Sequence, residues 1–218
     1  MKNMQFAVLG LGRFGLSLVK ELSRMGLDVL AVDSDPNKVN LARDIATYAV
    51  EADSTDEQVL KTLGIRNFDV VVVSIGENVQ SNILTTILLK DMGVSMVVSK
   101  AQNHLHGRVL EKIGTDLVIY PERDMAIRVA QSLVTKSVLD HINLSSEYSI
   151  IEMITPGLFV GKTLRESNIR ERHKVNIIAI KRGDDIIVNP ISDQTILSND
   201  ILVVLGKNNH LDKLSDLN

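Results

Sequence analysis

The chain has 218 residues, 44% of them hydrophobic and 3% aromatic, and its 24 basic and 27 acidic side chains leave a formal net charge of −3. That length suits one large domain, or a medium domain with a small one. Few aromatics and interspersed charges argue against base-stacking platforms and basic nucleic-acid faces, and the lack of cysteine excludes disulfides, thiolate metal sites and cysteine nucleophiles.

The opening MKNMQFAVLG runs straight into an apolar strand and leaves no room for a signal peptide. No apolar run approaches the roughly 20 residues that span a bilayer, so a soluble, cytosolic chain is expected. Phe6-Ala7-Val8-Leu9 predicts a first strand, and Gly10-Leu11-Gly12-Arg13-Phe14-Gly15 a glycine turn. A helix follows with Leu16, Val19, Leu22 and Met25 on one face, stopped by Gly26; a second strand, Val29 to Val32, ends in Asp33. Gly10 permits the sharp turn, Gly12 lets backbone amides approach a pyrophosphate, and Gly15 lets helix and strand pack closely. The phosphates would rest on the amides and positive dipole end of the new helix. Asp33 stands near the usual spacing for a carboxylate that accepts ribose hydroxyls.

Strand and helix then alternate. Ser34-Asp35-Pro36 opens a helix, Tyr48 to Ala52 reads as a strand ending in Asp53-Ser54-Thr55, and Asp56-Glu57 opens another helix. Val70 to Ile75 is a β-branched run typical of a buried parallel strand, closed by Gly76-Glu77-Asn78. Met96 to Ser99 leads into Lys100, and Leu117 to Tyr120 into Pro121-Glu122-Arg123. This pattern predicts a Rossmann-like, doubly wound parallel sheet, with ligands beyond the carboxyl ends of its strands. Asp33, Asp53, Glu77, Asn78, Lys100, Glu122 and Arg123 collect there. Residues 124–142 read as one long helix with an apolar face too broad for one partner. A polar junction at 143–147 marks a boundary, giving an N-terminal lobe over 1–143 and a smaller α+β lobe over 144–218.

Several side chains admit two readings. Arg13 either reaches a terminal phosphate, worth about 10- to 100-fold in affinity, or is a solvated rim residue. Asp53 either accepts an adenine amino group or caps a helix. Lys100 and Glu122 either form a structural ion pair or serve a phosphate and a cation. His104 and His106 read as surface helix residues in preference to a metal cluster. Arg165, Arg170, Arg172 and His173 form a basic run beside apolar Leu164, Ile169, Ile177 and Pro190, either a solvated face or an anion site. No nucleophile with an adjacent base can be assembled, and no recognition helix with basic flanks appears.

The stretches FAVLGLGRFG, VLAVDSD, EADST, SIGENVQSN, VSKAQN, LEKIGTDLVIYPERDM and GKTL resemble the RCK (regulator of conductance of potassium; TrkA-N/TrkA-C) family over nearly the whole chain, in its Ktr-type form. The resemblance implies a non-enzymatic gating subunit, cytoplasmic and peripheral to the membrane, that dimerises through the helix near 124–142. Four dimers would form an octameric ring beneath a membrane-embedded potassium channel subunit, with no nucleic acid involved. It further implies ATP or ADP in the N-terminal lobe, with NAD(H) in related members. The expected nucleotide site comprises Gly10, Gly12, Arg13, Phe14, Gly15, Asp33, Asp35, Asp53, Ser54, Gly76, Glu77, Lys100 and Glu122. Arg13 would read the terminal phosphate and Glu122 would hold a divalent cation (Mg or Ca), while Asp35 is equally a helix cap. Several relatives bind cyclic di-AMP in the second lobe, here assigned to Leu164, Ile169, Arg170, Ile177 and Pro190. An NAD(H)-dependent oxidoreductase or redox sensor is the alternative; it needs a proton donor beside the nicotinamide, and none is identifiable.

Overall fold

The strands β1 (Gln5–Leu9), β2 (Asp28–Asp33), β3 (Tyr48–Glu51), β4 (Val70–Val73), β5 (Val97–Lys100) and β6 (Leu117–Ile119) form one parallel sheet in the order β3-β2-β1-β4-β5-β6. All four valines of β4 are buried. Alternate residues feed two cores: Ala7, Leu9, Val71 and Val73 pack on one side, Val8, Val70 and Val72 on the other. Both faces of the sheet are therefore covered, which is why its strands read as continuous apolar runs. The covering helices are α1 (Arg13–Arg24), α2 (Pro36–Ala42), α3 (Glu57–Thr62), α4 (Val79–Asp91) and α5 (His104–Ile113). Asp35, Asp56, Asn78 and Asn103 cap α2 to α5 through their side chains.

This computed structural model describes residues 4–134 and 138–217. The chain divides into two units, Met1–Arg123 and Asp124–Asn218, a division that falls within helix α6 (Pro121–Val134). The second unit holds β7 (Val138–Asn143), β8 (Tyr148–Ile154), α7 (Leu164–Ser167), α8 (Ile169–His173), β9 (Val175–Arg182), β10 (Asp185–Val188), β11 (Ile201–Lys207) and α9 (Asn208–Ser215). Its sheet is antiparallel, in the order β10-β9-β11-β8-β7. Met153, Phe159, Ile169, Ile180, Leu202 and Leu214 form its core. Asp200, 1% exposed, receives both Arg182 Nε and Nη2 at 2.8 Å and the Leu197 amide at 2.8 Å.

Two expectations are corrected. The long helix over 124–142 is instead α6, ending at Val134, followed by strand β7; residues 135–137 lie outside the described set. The apolar spacing at Val138, Leu139 and Ile142 fits either period. Pairing with β8, His141 opposite Ile151 and Ile142 opposite Ile150, decides for strand. The polar stretch at 143–147 is the β7–β8 hairpin turn, where Leu144 and Ser145 donate to the Tyr148 carbonyl. It lies inside the second unit instead of between lobes. Among the described residues no helix is long and apolar enough to cross a membrane.

Candidate nucleotide-binding cleft

The strand order reverses between β1 and β4, and an open cleft of about 510 Å³ lies beyond the carboxyl ends at that point. β1 supplies Gly10 and Gly12, β2 Asp33 and β3 Asp53 and Ser54; β4 supplies Ser74 to Asn78 and β5 Lys100. Gly10 turns with φ +98°, a left-handed value that favours glycine. A Cβ on Gly15 would overlap the Gly10 carbonyl oxygen and Ser74 Oγ, so this glycine is demanded by packing. Gly12 differs. Its φ of −67° suits any residue, and a Cβ there meets nothing within 4 Å. The empty space belongs to the cleft, and Gly12 caps α1 without a side-chain hydrogen bond. An uncapped helix N-terminus facing a groove leaves amides and a positive dipole end for an anion.

Asp33 is fixed by the backbone. The Leu11 amide donates to its Oδ2 at 2.6 Å and the Asp35 amide to its Oδ1 at 2.9 Å. Each carboxylate oxygen keeps a lone pair for a ribose hydroxyl. Ser74 Oγ donates to the Gly10 carbonyl and so pins the glycine loop to β4. Lys100 Nζ donates to Glu122 Oε1 at 2.6 Å and lies 5.9 Å from the centre of the Phe14 ring. That hydrogen bond is the main reason the Glu122 carboxyl titrates below the usual carboxylate range; partial burial opposes it, and the charge of Arg13 assists. The ammonium is largely enclosed while Glu122 remains well exposed, so a phosphate can compete for the lysine.

Of the expected residues, Gly10, Gly12, Arg13, Phe14, Asp33, Asp53, Ser54, Gly76, Glu77, Lys100 and Glu122 line this one cleft. Gly15 lies beneath it as a buried packing residue, and Asp35 stands apart, capping α2 through the Asn37 amide at 2.9 Å. Asp53 does not cap α3, a task taken by Asp56; it closes a short turn by accepting from Thr55 N and Oγ1. Asn78, expected on the carboxyl rim, lines it too, while Ser34, Lys38, Ser74, Ser81 and Gln102 complete the lining and escaped sequence reasoning. Ser74, directly after the valine run, carried a usable signal in its position at a strand's carboxyl end. Lys38, a turn into a helix, carried none.

The other predicted sites fare differently. His106 is buried with its Nδ1 accepting the Gln102 amide at 3.3 Å, and burial lowers its pKa; it is not a surface residue. No cluster of three or more metal-ligating side chains occurs among the described residues. In the second unit Ile169 is a core residue, 2% exposed, with Leu164 and Ile177 packed against the same core. Arg170 lines a separate groove with Tyr148, Lys174, Asn176, Lys207 and His210. Of the five residues expected to hold cyclic di-AMP, Leu164, Ile169 and Ile177 pack at the core of the second unit and Arg170 lines its groove. The basic run is also dispersed: Arg165 pairs with Asp193 at 3.0 Å, and His173 packs edge-to-face on Phe159.

A parallel sheet with its switch point at a glycine loop, in a chain that also holds a small antiparallel unit, defines a Rossmann-like nucleotide-binding fold with an additional α+β unit. The TrkA-N domain model matches residues 6–121 and the TrkA-C domain model residues 149–218. The chain is 51% identical over 202 residues to the Ktr system potassium uptake protein C of Bacillus subtilis, covering 93% of this chain and 91% of that protein. It is 39% identical to the Ktr system potassium uptake protein A of Vibrio alginolyticus, over 98% of this chain and 97% of that one. The crystal structure of the GsuK RCK domain superposes with a TM-score of 0.69 at 20% identity, spanning 99% of this chain and 48% of that longer one. The chain therefore belongs to the TrkA-N/TrkA-C, or RCK, family, in its Ktr-type branch.

Proposed function

We propose that this chain is a nucleotide-sensing, non-enzymatic regulatory subunit of a potassium uptake system, working at the cytoplasmic face through a membrane-embedded channel subunit. The observation that carries the reading is the convergence at one cleft of an uncapped α1 N-terminus, an open Gly12, and the cations Arg13 and Lys100. A neighbour in fold is the GsuK channel bound to NAD, and the Ktr relatives are potassium uptake proteins. ATP and ADP share the adenosine end, held by Asp33, and differ at the phosphate end, where Arg13 and Lys100 stand. A ligand shifts a conformational equilibrium only by its differential affinity for the two states. In an octameric ring, a difference of about 1 kcal/mol at each site exceeds in total the roughly 5.5 kcal/mol that swings a population from 1:99 to 99:1.

In this reading the first unit, Met1–Arg123, acts as the nucleotide lobe, helix α6 as the dimerising segment, and the rest of the second unit as the regulatory lobe. A phosphate drawn to Lys100 releases Glu122 to hold a divalent cation. Cyclic di-AMP would be taken by the second lobe through Arg170 across a dimer. The face of α6 that carries Met125, Val129 and Leu133, each about half exposed or more, supplies the apolar area for dimerisation. The test is potassium flux through the partner channel subunit in vesicles carrying this chain. Flux that changes between ATP and ADP is expected; flux indifferent to nucleotide overturns the reading.

A further inference from the structure

Asn82 lies on α4 outside the cleft lining, wholly buried, yet it is bonded to both rims of the cleft. Its Nδ2 donates to the Ile75 carbonyl at 2.9 Å and to the Lys100 carbonyl at 3.3 Å. Ile75 immediately precedes the Gly76-Glu77-Asn78 turn after β4, and Lys100 is the last residue of β5. The same two segments meet again inside the cleft, where a Cβ on Gly76 would sit 3.4 Å from Lys100 Nζ. One amide thus bridges two strand ends, which the ladder itself stops joining beyond the Val73–Ser99 pair.

We infer that Asn82 is a positioning residue for phosphate recognition: it holds the backbone of Lys100 against the Gly76 turn, so that the ammonium is aimed at the phosphate end of the cleft. The inference rests on the proposed nucleotide-sensing role of that cleft. A primary amide is the side chain suited to the task, because its two N–H groups can serve two carbonyl acceptors at once. An aspartate would place oxygens against oxygens, and an aliphatic residue would deprive two part-buried carbonyls of this donor. Nearby hydroxyls steady the same helix face, Thr86 Oγ1 lying 2.9 Å from Ser99 Oγ and donating to the Asn82 carbonyl.

The test is a double-mutant cycle of Asn82→Ala and Lys100→Met in the full chain, read by calorimetric titration with ADP and with adenosine. N82A is expected to weaken ADP binding about 10-fold, to leave adenosine unchanged, and to have no effect when K100M is already present. Losses that simply add, or an equal loss for adenosine, overturn the positioning role, since a structural defect would blur the whole cleft. If N82A shows no cooperative melt, N82S, which keeps a hydroxyl donor, takes its place in the cycle, and additive or ligand-blind losses overturn the role there too. K100M that binds ADP as tightly as the parent overturns the phosphate-reading role of Lys100, and the positioning role falls with it.

Discussion

Replacing Gly12 by alanine separates folding from ligand binding. At φ −67° and ψ −175° alanine is unstrained, and its methyl group meets no protein atom within 4 Å. Alanine is a poorer N-cap than glycine by up to about 1 kcal/mol. Glycine's extra freedom in the unfolded chain returns about 0.4–1 kcal/mol to the variant. The melting temperature without ligand should therefore stay within about 4 °C of the parent. In the cleft the same methyl stands where a pyrophosphate must approach the α1 amides. Losing one charge-assisted hydrogen bond costs about 1.5–3 kcal/mol, a weakening of ADP binding of about 10- to 150-fold. Gly15→Ala is the contrast, since its Cβ overlaps Gly10 and Ser74, and it should lower stability by about 2 kcal/mol or more. Thermal melts and calorimetry on both variants decide the matter. G12A that binds ADP like the parent would refute the placement of phosphate against Gly12.

Arg13→Ala should erase the preference for ATP over ADP while leaving adenosine binding in place, as measured by competition titration; strong residual discrimination contradicts the assignment of Arg13. Asp200→Ala removes the buried partner of Arg182 and strands the Leu197 amide, and should destabilise the second unit by about 3 kcal/mol in denaturant unfolding. The bidentate Arg182 contact holds the Asp200 carboxyl below the usual aspartate range, against the effect of burial. A depressed folded value means the stabilisation is complete above the unfolded aspartate value of about 3.9 and fades as pH falls through the lower folded one. The parent should lose stability across that acid window and D200A should lose less; parallel acid limbs would contradict this. Leu133→Asp on the exposed face of α6 should shift the chain toward monomers in light scattering.

The parallel sheet was legible because its strands are buried on both faces and its helices carry their own stops, so local pattern and global fold agree. Gly26 and Gly114, both at positive φ, end α1 and α5 where the apolar period stops. Most of the cleft was legible for the same reason: polar residues directly after buried strands can only sit on the carboxyl rim. Asp35 stayed open between two readings because an acid beside a proline serves a helix cap as readily as a ligand, and it caps α2. The segment after Val134 misled because a short apolar run fits either period, and its choice depends on a partner strand that local pattern does not reveal. Ile169 was not legible as a core residue, since an apolar residue beside an arginine looks the same whether it faces a ligand or the core. Asn82 was invisible, its role lying in two carbonyls brought together only by folding.

The central claim is that adenine nucleotides are held in the glycine cleft by their phosphates and sensed there. Calorimetric titration of the full chain with ATP, ADP and adenosine tests it most directly. ATP and ADP should bind with distinct affinities, each at least about 10-fold tighter than adenosine. Adenosine bound as tightly as the nucleotides, or no binding by any of the three, would contradict it.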